Sequence, residues 1–122
     1  MKFLLAPEID AELRRIILSL GLSYIKPEKL VSFKSFGSKS RAIARIWSLP
    51  HIWQIALQKD AHYCIEVISE RYDRLSFSDK EKVLIHELLH VPKNFSGALL
   101  PHKRKGRRID RKTVEMWHSK LK

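Results

Sequence analysis

The chain reads as an α+β fold, because its hydrophobic period changes twice. Helical spacing near the N-terminus gives way to alternation and a continuous run of β-formers, and helical spacing returns in the last third. With 122 residues it can enclose one core but not two ordinary ones, so residues 1–122 are expected to form a single domain. Leu13, Ile16, Ile17 and Leu20 recur at helical spacing, with Asp10 placed to cap the start and Gly21 to end the helix. Val31 and Phe33 alternate with polar neighbours, and Gly37 to Ser40 reads as a turn. Ala42, Ala44 and Ile46 alternate after it, which together predicts a hairpin. His51 to Leu57 fits neither period and is left unassigned. Tyr63 to Ser69 is nearly continuous in apolar residues and predicts a strand inside the sheet, covered on both faces. Ser78-Asp79-Lys80-Glu81 has the pattern of a capping box opening a buried helix, which Pro92 closes. A last helix is predicted from Asp110 as cap and Val114, Trp117 and Leu121 as its apolar stripe.

Composition narrows the functional classes. Apolar residues make up 44% and charged residues 30%, a globular balance, and no apolar run is long enough to span a bilayer. Glu8 and Asp10 interrupt the apolar start before a secretory core develops, so no signal peptide is read and a soluble, cytoplasmic protein is expected. The single cysteine, Cys64, excludes an internal disulfide framework and reads as a small core residue. A formal net charge of +11 keeps polyanions among the possible partners.

The chemistry concentrates at His86-Glu87-Leu88-Leu89-His90. Two histidines four apart project from one helix face, one turn apart, and suit two corners of a zinc tetrahedron. Glu87, about 100° round the helix, can reach a water at such an ion without taking a ligand position and would act as general base. Zn2+ lowers the pKa of water to about 7 and polarises a carbonyl, which suits hydrolysis of a peptide bond. Random placement of the histidines and glutamates would produce this pattern in about one such chain in fifty. The bland alternative is a pair of core histidines with a glutamate paired to one of the many cations. It leaves the desolvation of three ionisable groups on a buried helix to be offset. Neutral imidazoles also suit other late transition metals, so zinc is a choice on ligand chemistry.

The H-E-x-x-H run resembles the zincin metallopeptidases. With Val91 and Pro92, Gly97, and Pro101-His102 after it, the chain is similar to the putative phage metallopeptidase family, found in phages, bacteria and archaea. The resemblance extends over most of the chain, though outside the motif region it is one of general pattern. It implies a minimal zincin core, with the motif helix beneath a small, mostly antiparallel sheet whose edge strand would hold an extended peptide or protein substrate.

Catalytic zinc usually has three protein ligands and an open position. The metzincin pattern is absent, since Asn94 stands where its glycine would be and Ser96 where its third histidine would be. His102 is the preferred third ligand, because Gly97 lets the chain turn back toward the helix. Glu115, on the last helix, is the alternative, and His118 three residues on is a further ligand or supporting candidate. Trp47, Trp53 and Trp117 read as packing residues.

A second functional class rests on the basic run Lys103, Arg104, Lys105, Arg107 and Arg108. Such a run favours nucleic-acid backbone without sequence specificity, and no nucleic-acid motif accompanies it. The same charges would equally steer acidic substrates to a cleft at His102. A non-catalytic metal site is a third reading, and would not require Glu87.

Overall fold

The computed structural model describes all 122 residues except the side chain of Arg107. Strand β1 (Lys2–Leu5) leads into α1 (Pro7–Leu20). β2 (Leu30–Phe36), β3 (Ala44–Ser48), α2 (His51–Leu57) and β4 (Tyr63–Ile68) follow. Then come the single turn α3 (Ser69–Tyr72), the motif helix α4 (Phe77–Leu88), the short strands β5 (Lys103–Arg104) and β6 (Arg107–Arg108), and α5 (Arg111–Ser119). The architecture is α+β, around a mixed sheet of order β1-β2-β4-β3 with a separate β5-β6 ribbon. No helix is long and apolar enough to cross a membrane among the described residues.

β4 lies inside the sheet, as its apolar run predicts. It pairs parallel with β2 (Leu30 opposite Tyr63) and antiparallel with β3 (Ser48 opposite Tyr63). That placement overturns the expected hairpin, because β2 and β3 flank β4 instead of pairing with each other. The most buried strand takes the interior position, where both of its edges are hydrogen-bonded. β3 is left as an edge strand beside α4.

One face of the sheet carries Tyr63, Ile65 and Val67 into the core. They meet Ile9, Leu13 and Ile16 of α1 and Leu84, Ile85 and Leu88 of α4. Each such side chain is essentially fully buried and contributes roughly 1.5–3 kcal/mol by removal from water. The register puts Phe3, Leu5 and Trp47 on the opposite face, where all three are more than half exposed. Cys64 lies on that face too and is half-buried rather than core.

Two local expectations are corrected, and one unassigned segment gains a structure. α1 starts at Pro7, whose fixed φ and missing N–H suit the first helical position, so Asp10 is not the cap. Asp10 instead accepts hydrogen bonds from the Ser32 amide (2.9 Å) and hydroxyl (2.5 Å), tying α1 to β2. Gly21 does end the helix, at φ 66°. α4 is capped by Ser76, whose hydroxyl accepts from the Asp79 amide at 3.1 Å, not by Ser78. Starting two residues earlier turns Glu81 away from the cap and toward Arg15 and His118. His51–Leu57, left unassigned, is helical, and Ile52, Trp53, Ile55 and Leu57 are all exposed, so no buried stripe marks it in the sequence. β1 also carried no signal, since all four of its residues are exposed. α5 has the predicted Asp110 cap, which accepts from the Thr113 amide at 2.9 Å.

Candidate metal centre

α4 delivers His86 and Glu87 from its last turn, and Leu89 caps it. His90 sits just beyond the helix end, where the backbone tightens: its amide donates to the Glu87 carbonyl at 3.1 Å, three residues back. The turn keeps the helical sense, so the His86 and His90 rings remain neighbours, with centroids 5.2 Å apart.

The third ring arrives through a pinned loop. Gly97, at φ 95°, turns the chain in a conformation that disfavours side chains, and a Cβ there would collide with Gln54 Nε2. Tyr63, from the centre of the sheet, holds both sides of this turn. Its hydroxyl accepts from the Gly97 amide (2.8 Å) and donates to the Ala98 carbonyl (2.9 Å). The Leu100 amide then donates to the His90 carbonyl (2.7 Å), and His90 Nδ1–H donates to the Leu100 carbonyl (2.5 Å). Two residues later, His102 lies against the helix, with its Nε2 3.1 Å from His86 Nε2. The His102 ring is 5.1 Å from that of His86 and 4.6 Å from that of His90, centroid to centroid.

One nitrogen from each of His86, His90 and His102 therefore lies within 4.8 Å of the others. Two nitrogens at zinc-bond length on tetrahedral corners are about 3.3 Å apart, so the three donors need only a small contraction onto a common ion. The Leu100 carbonyl occupies His90 Nδ1 and leaves Nε2 as the free lone pair, the arrangement that orients metal-binding imidazoles. Burial, with repulsion from the two neighbouring rings, takes His86 down to about pKa 4, and burial lowers His90 despite the Leu100 hydrogen bond. Both rings are neutral at pH 7, and so available as donors. The residues fit a late transition metal held by three imidazoles.

Glu87 is 7% exposed, and burial raises its pKa to about 7. No ion-pair partner reaches it among the described residues. It and His86 line a cavity of about 620 Å³ between α4, the start of β3 and α5.

The other sequence candidates are dispersed. Glu115 lines the same cavity, held by Arg111 at 3.3 Å, and stands outside the histidine group. His118 is directed away from it and donates to Glu81 Oε1 at 3.0 Å, while Arg15 engages Glu81 Oε2 at 2.6 Å. Lys103, Arg104, Lys105 and Arg108 are exposed on the β5–β6 ribbon, and the side chain of Arg107 lies outside the described residues. The positioning roles of Tyr63 and Leu100 had no signature in the sequence. One acts through a loop 34 residues away, the other through its backbone.

Compared with known protein families, residues 1–119 match the family described as "Putative phage metallopeptidase". No curated protein and no solved structure matches the chain.

Proposed function

The chain belongs to the putative phage metallopeptidase family, and from that premise we propose that residues 1–122 act as one zinc-dependent peptidase domain. The convergence of His86, His90 and His102 beside the buried Glu87, which has no ion-pair partner among the described residues, carries this reading. The three imidazoles would hold Zn2+, which when bound supplies a Lewis acid that acidifies water and polarises the scissile carbonyl. Glu87 takes the proton from the attacking water and returns it to the leaving amine. A carboxyl group with a pKa near 7 suits both directions of that transfer at neutral pH. The pinned loop from Gly97 to Leu100 holds the His90 ring and delivers His102, so the ligand set is organised before metal arrives. β3, one of the two edge strands of the sheet, offers its outer edge to an extended peptide, whose backbone pairing would be independent of its sequence.

The test is elemental analysis of untagged protein followed by cleavage of a mixed peptide library. About one zinc per chain, lost in His86→Ala and His102→Ala and retained in Glu115→Ala, together with cleavage abolished in Glu87→Ala, is the expected result. A chain that takes up no metal after reconstitution sinks the reading.

A further inference from the structure

The cavity beside His86 and Glu87 is more than an approach to them. The α4 side presents Asp79, Lys82 and His86, spaced by three and four so that they lie along one stripe of the helix, with Glu87 about 100° round from His86. Arg41, just before β3, faces it from the opposite wall, and Arg111 and Glu115 close it from α5. The remaining wall is apolar, formed by Ile43, Ala44, Val83 and Val114, which strengthens any charge interaction inside.

The charges in this space are unevenly satisfied. Arg111 and Glu115 are engaged with each other at 3.3 Å. Arg41 and Lys82 have no acidic partner within ion-pair distance among the described residues, and Lys82 is half-buried. Asp79 is exposed and lies almost a turn further from His86 than Lys82 does. A partly desolvated ammonium with no counter-charge favours an anionic ligand, and a guanidinium opposite it adds a planar fork matched to a carboxylate. Lys82 precedes His86 by one helical turn, roughly 6 Å along the axis, or about two residues of an extended peptide.

We propose that this cavity is a carboxylate-binding subsite, in which Arg41 and Lys82 hold an acidic group one or two residues from the scissile bond of a peptide substrate. The inference rests on the peptidase reading for what happens to that peptide, and on the cavity alone for its recognition. The carboxylate is either an Asp or Glu side chain or a free C-terminus. The first makes the chain an endopeptidase selective for acidic sequences, the second a carboxypeptidase.

Fluorescence anisotropy on the zinc-loaded Glu87→Gln chain separates these cases, using three labelled hexapeptides. One has a central Glu and an amidated C-terminus, one has Gln in its place, and one has Gln with a free C-terminus. One of the two carboxylate-bearing peptides binds about tenfold tighter than the neutral one, about the effect of one charge-assisted contact. The stronger of the two identifies the source. Arg41→Ala with Lys82→Met brings the three within twofold of one another. Lys59→Ala with Arg74→Ala, which removes exposed charge outside the cavity, leaves the ratio intact. Lys82→Glu gains binding of a fourth, amidated peptide with a central Lys, a gain that misfolding cannot mimic. Equal binding of all three peptides, or a ratio that survives the Arg41 and Lys82 substitutions, overturns the subsite. Cleavage by the unaltered chain is run alongside. Selective binding with no cleavage of any peptide defeats the peptidase reading and leaves the subsite standing, whereas cleavage without discrimination does the reverse.

Discussion

Helix α4 carries two groups of ionisable side chains, and the fold treats them in opposite ways. Near its start, Glu81 is satisfied from both sides, by Arg15 of α1 at 2.6 Å and His118 of α5 at 3.0 Å. At its end, His86, Glu87 and His90 are buried as deeply or nearly so, yet the two histidines meet each other and His102, and no counter-charge reaches any of the three among the described residues. Burial lowers the pKa of the two histidines and raises that of Glu87, and only the Leu100 hydrogen bond to His90 works against it. A balanced cluster stabilises three helices against one another. An unbalanced one of this kind costs stability that a bound cation would offset, which is the expected mark of a binding site. The comparison explains why two histidines within one short chain deserve different readings despite equal chemistry: His118 has a carboxylate and His86 does not.

The sharpest way to break this contrast is at Glu87. Glu87→Gln keeps the shape and removes the base, so peptide hydrolysis should fall by about 10²–10⁴-fold while zinc stoichiometry is unchanged. A variant retaining a tenth of the rate would show that the carboxylate is not the proton carrier. Removal of a ring should act on binding. With free zinc at a thousand times its Kd, the unaltered chain gains about 4 kcal/mol against unfolding. His102→Ala should lose most of that gain in thermal melts with and without chelator, and Glu115→Ala should keep it. The reverse pattern would move the third ligand to α5.

How much of this was legible in the sequence follows from the range over which each signal acts. The stripe of α1, the interior run of β4 and the Asp110 cap of α5 are local patterns, and the structure agrees with each. The strand order is not local. Val31–Phe33 and Ala42–Ile46 look like hairpin partners until β4, which starts seventeen residues after Ile46, takes the place between them. Helix α2 is invisible because its apolar residues face outward and obey no burial period. At the site, the spacing of His86, Glu87 and His90 is visible, whereas the return of His102 depends on Tyr63 and Leu100. Gly97 is the one visible clue to that loop, and it supplies a prediction of intermediate size. Gly97→Ala forces a side chain into φ 95° and against Gln54, at a cost of about 1–3 kcal/mol. Disturbing the loop that orients His90 should also weaken zinc by 10-fold or more in a competition titration. Unchanged affinity would mean that the loop follows the metal rather than preparing for it.

The balanced cluster gives the smallest effect and the cleanest control. Burial pushes the Glu81 carboxyl up, but hydrogen bonds from Arg15 and His118 outweigh it and hold its pKa below the ordinary 4.5. A carboxyl depressed in the folded state stabilises the fold above its unfolded pKa. That stabilisation disappears as pH falls through the lower, folded value. Glu81→Gln should therefore destabilise the chain by about 1–2 kcal/mol at pH 7, a modest figure because Arg15 is partly exposed and its charge partly screened. Below pH 4.5 the difference in denaturant midpoint from the unaltered chain should shrink steadily. Zinc stoichiometry should stay at the unaltered level throughout, since Glu81 faces α1 and α5 and not the three histidines. Loss of zinc in Glu81→Gln would show that the two ends of α4 are coupled, and that the division drawn between a structural cluster and a binding cluster does not hold.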